Sequence, residues 1–132
     1  MASVGVETIF GKFYRKYRLC SNCNQYYKSH EEKRTDVNIA ISLLVNAVQD
    51  KYDTAIIISA DSDLIPAIEA VKLNFPNKNI GIIIPLFGKA EELKKIADFH
   101  SKISEWHLKS SQFSDTIDIS GGVKLTKPPE WV

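Results

Sequence analysis

The stretch "TAIIISADSDLIPAIEAVKL", residues 54–73, decides the fold. Its first half is an unbroken β-branched apolar run, the pattern of a parallel strand covered on both faces. Its second half carries Leu64, Ile68 and Val71 at helical spacing, with Phe75 continuing the stripe, so a helix is predicted from Asp63 to about Phe75. Pro66 falls in the first turn of that helix, where its missing N–H costs nothing. Between strand and helix lie two carboxylates one residue apart, Asp61 and Asp63.

Working outward, "NIGIIIPLF" (79–87) reads as a second buried strand ended by Pro85 and Gly88, and "AEELKKIADF" (90–99) as a short helix. In that helix Glu91 and Glu92 come early and Lys94 and Lys95 late, as the macrodipole favours. "SKISEWHL" (101–108) fits either a short strand or a last helix. Trp106 and Trp131 read as packing anchors. On the N-terminal side, "VETIFGKFY" (6–14) reads as a strand with a bulge at Gly11. Ser29-His30-Glu31-Glu32 has the S-x-x-E form of a capping box, which predicts a helix from there to about Asp50. Its inner stripe is Ala40, Leu43, Leu44 and Ala47, and Asp36 lies at the N-terminal end of the same stripe. Alternating strands and helices define an α/β layered domain with a mainly parallel sheet, in which ligands bind at the C-terminal ends of the strands. Residues 1–110 form this domain; 111–132, rich in Ser, Asp, Gly and Pro, form a tail that is either a packed flap or a linker.

Composition bounds the rest. With 132 residues, of which 44% are hydrophobic, the chain supports one domain with a real core. A net charge of +1 advertises no polyanion partner for the molecule as a whole. Locally, "GKFYRKYRLCSNCNQYYKS" (11–29) contains Lys12, Arg15, Lys16, Arg18 and Lys28 and no acid, interleaved with Tyr14, Tyr17, Tyr26 and Tyr27. Basic groups attract phosphates and aromatic faces stack on bases, so this is either a single-strand nucleic-acid surface or an ordinary solvated edge strand. No run reaches the ~20 apolar residues that span a bilayer. No signal-peptide pattern opens the chain, and the Cys20-x-x-Cys23 pair then points to reduced thiols in a cytoplasm. With His30, that pair offers three of the four ligands a structural Zn²⁺ wants, so either the knuckle is closed across a homodimer or the pair is simply a tight turn.

An Asp at a helix start is a favoured N-cap, which accounts for one of Asp61 and Asp63 but not both. Two carboxylates ~5 Å apart repel by roughly 1 kcal/mol in water. Asp36 brings a third acid toward the same strand end. Three acids there become favourable around a hard divalent cation. The expectation is therefore metal ligation first and capping second.

The segments "EEKRTDVNIAISLL" (31–44), "YDTAIIISADSDLIPAIEAVK" (52–72), "HLKSSQF" (107–113) and "KPPEW" (127–131) resemble the NYN domain family (LabA-like proteins) of the PIN-like nuclease superfamily. The resemblance implies a three-layer Rossmann-like domain and a metal-dependent ribonuclease using Mg²⁺ or Mn²⁺. It matches Asp36, Asp61 and Asp63 to the family's acidic positions, with Glu32 and Ser59 in the same motifs and Lys33 and Arg34 beside them on the RNA path. The family pattern normally begins with an apolar strand ending in Asp, and nothing before Val6 matches it. That departure predicts an exposed edge on "TAIIIS" and a metal site one ligand short. It leaves open a fragment of a longer protein, a dimer that completes the sheet, or an inactive form. The rival expectation is a non-catalytic RNA-binding or protein-interaction module. A phosphatase-type D-x-D site ranks low because no dedicated Lys accompanies it.

Overall fold

A computed structural model describes residues 6–119 and 121–131. The elements run β1 (Lys12–Leu19), β2 (Tyr26–Lys33), α1 (Thr35–Val48), β3 (Thr54–Ile58), α2 (Ile65–Asn74), β4 (Asn79–Ile84), α3 (Glu91–Ile96), β5 (Phe99–Lys102), α4 (Glu105–Ser110), β6 (Thr116–Ile119) and β7 (Val123–Thr126). Three strands make a parallel sheet in the order β3-β4-β5, and the other four form two antiparallel hairpins.

The register explains where the core sits. Ala55 pairs with Ile80 and Ile57 with Ile82, so these side chains share one face of the sheet. Helices α2 and α3 are the crossovers between these parallel strands, and their apolar side chains join the core on that face. There Leu43 and Ala47 of α1, Ile68 and Val71 of α2 and Leu93 of α3 close on Ile57, Ile80, Ile82 and Ile84. The opposite face carries Ile56, Ile58 and Phe99, with the Phe99 ring laid over Gly81, where a Cβ would come within 2.3 Å of it. Ile56 and Ile58 are 56% and 61% exposed. The predicted strand is thus real, but it is not covered on both faces, because it lies at the sheet edge and no described helix buries residues on its outer side. The arrangement is an α/β domain with a three-stranded parallel sheet flanked by helices, compatible with the expected PIN-like fold.

Two polar devices lock the frame. The buried Lys78 ammonium donates to Asp50 Oδ1 and to the Tyr52 carbonyl, both at 2.6 Å, tying the end of α1 to the entry of β3. Asp98 accepts from the Ile80 amide at 2.7 Å and from Lys72 of α2, pinning α2 and β4 to the start of β5.

The expected helix start at Ser29 is overturned. Ser29, His30, Glu31 and Glu32 belong to β2, paired with Lys16, Arg15, Tyr14 and Phe13. Pairing over eight residues bonds the backbone of every second residue along the segment to β1, more than the two bonds a local capping box supplies. Helix α1 instead begins after Arg34, whose left-handed φ of 84° turns the chain out of the strand. The first strand likewise starts at Lys12, not Val6. "SKISEWHL" resolves into both alternatives, the end of β5 followed by α4. Trp106 and Trp131 are exposed, so neither anchors packing. The tail folds on itself as the β6/β7 hairpin, closed by the Lys127 amide donating to the Asp115 carbonyl at 2.8 Å. Among the described residues no helix is long and apolar enough to cross a membrane.

Candidate active-site cleft

A cleft of about 440 Å³ opens where the end of β2, the first turns of α1 and the turn after β3 meet. Its acids are Glu32, Asp36 and Asp63, its bases Lys33 and Arg34, and its apolar wall is Val37, Ala40, Ile41 and Leu44. Each acid arrives by a different route. Glu32 is delivered by strand pairing and accepts a hydrogen bond from the Thr35 hydroxyl. Asp36 sits in the first turn of α1, where the helix dipole favours a carboxylate. Asp63 lies in the single 3-10 turn Ser62–Leu64 that precedes α2 and packs against α1.

Asp61 goes elsewhere. Its Oδ1 accepts from the Asp63 amide at 3.0 Å, which makes it the N-cap of that 3-10 turn. Its own amide donates to Ser59 Oγ at 3.1 Å. Neither Asp61 nor Ser59 lines the cleft. The structure therefore gathers Asp36, Asp63 and Glu32 around one space and leaves Asp61 at a cap beside it. Among the described residues no three His, Cys, Asp or Glu side chains group closely enough to hold a metal ion. The cleft donors are all carboxylate oxygens, which suits a hard cation of the Mg²⁺ kind. Such an ion binds through one or two carboxylates and leaves its other positions to water and phosphate.

The basic residues Lys12, Arg15, Lys16 and Arg18 all lie on β1, and every residue of that strand is exposed. Lys16 and Lys33 clamp Glu31 at 2.9 and 3.0 Å, and hydrogen bonds to these two ammonium groups pull its carboxyl down to about 2. The sequence reading assigned Glu31 only to a capping box. The signal for the clamp was present in two eight-residue runs, "KFYRKYRL" and "YYKSHEEK", flanking a C-x-x-C-N-x turn.

Cys20 and Cys23 occupy the tip of this hairpin. The Cys20 amide donates to the Gln25 carbonyl and the Asn24 amide to the Cys20 carbonyl, both at 2.9 Å. The amides of Asn22 and Cys23, and the Cys23 side chain, hold the Cys20 thiol below its ordinary value. His30 pairs with Arg15, four register steps from the Leu19–Tyr26 pair that borders the tip. At about 3.3 Å per residue it is about 13 Å away, so it is no third ligand for the pair.

A parallel sheet with a charged cleft beside the C-terminal end of one of its strands defines a Rossmann-like α/β domain. The chain belongs to the NYN domain family, whose model matches residues 2–105, in keeping with a PIN-like superfamily relationship. Among curated proteins it is similar to the 6-hydroxy-3-succinoylpyridine 3-monooxygenase HspA of Pseudomonas putida, with 27% identity over 106 residues. The match covers 76% of this chain, which spans 33% of the relative's length. No solved structure matches it significantly.

Proposed function

We propose that this NYN domain hydrolyses RNA phosphodiester bonds with Mg²⁺ or Mn²⁺. The observation that carries the reading is the cleft, in which Asp36, Asp63 and Glu32 face one space beside Lys33 and Arg34. Asp36 and Asp63 would hold the cation, whose chemistry is to lower the pKa of water and offset charge on the phosphoryl group. Glu32, which accepts from the Thr35 hydroxyl, would take a proton from water. Arg34 attracts a phosphate next to the scissile one, and Val37 and Ile41 give a ribose or base an apolar wall. The oxidation in the relative's name belongs to a protein of which this chain spans a third, and it is not carried over.

The test is cleavage of a labelled single-stranded RNA in Mg²⁺, in Mn²⁺ and in chelator. Asp36→Asn and Asp63→Asn should each lower the rate at least about 100-fold, the scale on which a group that stabilises transition-state charge acts. Asp61→Asn should change it little, since Asn caps as well as Asp. RNA binding without cleavage under every metal condition would overturn the hydrolase and leave a non-catalytic RNA-binding module.

A further inference from the structure

The β1/β2 hairpin projects from the domain with nearly all of its side chains in water, and its register separates them onto two faces of different character. One face is largely occupied with itself, apart from Arg18 and Tyr27 near the tip. Glu31 is clamped by Lys16 and Lys33, and Lys12 lies 5.0 Å from the centre of the Tyr14 ring. The other face carries Phe13, Arg15 and Tyr17 on β1, opposite Glu32, His30 and Lys28 on β2, with Tyr26 next to the tip. Among the described residues neither Arg15 nor Lys28 has an acid partner. Phe13, Tyr17 and Tyr26 are 69%, 64% and 72% exposed.

We infer that this second face is a stacking track for single-stranded RNA, with bases on Tyr17, Tyr26 and Phe13 and phosphates on Arg15 and Lys28; it rests on the RNA reading of the domain. Three large rings on one side of a ribbon leave most of their surface in water, yet each offers a π-face, and base stacking on such faces is tolerant of sequence. Tyr26 is the diagonal neighbour of Tyr17, since Tyr17 pairs with Lys28. Diagonal neighbours lie about 7–8 Å apart. That is about two stacking steps of about 3.4 Å, room for one base between the rings. The track also has a direction. Its inner end is the Phe13–Glu32 pair, and Glu32 is a wall of the cleft, so a strand laid on the ribbon runs from the Cys20–Cys23 tip to the acids. A duplex, with its bases already stacked and paired, has nothing to offer these rings.

The test is binding of a fluorescent twelve-nucleotide oligouridylate to the whole chain in chelator, read by anisotropy and needing no cleavage. Tyr17→Ala with Tyr26→Ala should weaken binding at least about 10-fold, as the loss of two stacked bases implies. Tyr17→Phe with Tyr26→Phe should bind as the parent does. The opposite-face control, Tyr14→Ala with Tyr27→Ala, should cost less than about 3-fold. Circular dichroism reports that each variant is folded. With two phosphates engaged, log K should fall with log salt with a slope of about −1.4. Equal losses from both faces, no loss from either, duplex RNA bound as tightly, or an acidic peptide bound as well would each overturn the proposal. An active-site failure reads differently, because Asp36→Asn and Asp63→Asn would then bind normally in a chain that never cleaves.

Discussion

At the scale of single residues, the two aspartates of "SADSD" carry out different tasks although the sequence presents them alike. Asp61 accepts the Asp63 amide and ends as a cap, while Asp63 reaches the cleft. Asp61→Ala should therefore cost about 1 kcal/mol in urea unfolding and Asp61→Asn only a few tenths. Asp63→Asn, by contrast, should leave stability nearly unchanged and act on catalysis. Glu31 offers a second residue-level check. Its carboxyl is held at about 2 in the fold against an ordinary 4.5, so the clamp stabilises the fold above about pH 4.5 and that contribution is lost as pH falls toward 2. Carbon NMR titration of Glu31 should show the low midpoint, and Lys16→Met with Lys33→Met should return it toward 4.5. At the hairpin tip, the lowered Cys20 thiol should alkylate faster than Cys23 at neutral pH, read by mass spectrometry.

At the scale of elements, the register of β4 is secured as much by side chains as by its ladder. Asp98 joins the Ile80 amide to Lys72, and its carboxyl is lowered first by the Lys72 ammonium and then by that amide. Asp98→Ala should lose about 1–2 kcal/mol of unfolding free energy, the scale of charge-assisted hydrogen bonds discounted for partial exposure. Because the folded value is depressed, the parent's advantage over the mutant should shrink as pH drops below 3.8, the ordinary value for this group. The handover from β2 to α1 is another element-level decision. A left-handed Arg34 lets a strand become a helix within two residues, and this places Glu32 and Asp36 on the same cleft.

At the scale of the whole molecule, the parallel sheet ends on β3 with no strand beside it among the described residues. The Asp53 carbonyl accepts from the Asn79 amide, so alternation turns the backbone groups of Ala55 and Ile57 toward β4 and those of Thr54, Ile56 and Ile58 to the free edge. That edge is uncharged and carries exposed isoleucine, the combination that natural edge strands usually avoid. The particle mass from static light scattering should rise with concentration, and Ile58→Lys should suppress this while changing stability by no more than about 0.5 kcal/mol.

Much of this fold is legible in the sequence. The unbroken apolar runs ending at Ile58 and Ile84 are strands because no helix stripe can contain them, and Leu43, Ala47, Ile68 and Val71 declare their inward faces by spacing. Glu32, Asp36 and Asp63 were all named as acids of interest, and only their company differs from the expectation. The hairpin was misread because a capping box is a four-residue signal, whereas the partners of Ser29–Glu32 in β1 lie 13 to 19 residues away along the chain. Local chemistry determined which segments are apolar, where helices turn and which side chains can ligate or cap. Only the tertiary structure decided that Asp61 caps while Asp63 faces the cleft, that β3 is an edge, and which ribbon face is free. Those are questions of register and of backbone dihedral. A shift of one residue moves a strand side chain to the other face, and that choice is made by whatever the strand pairs with.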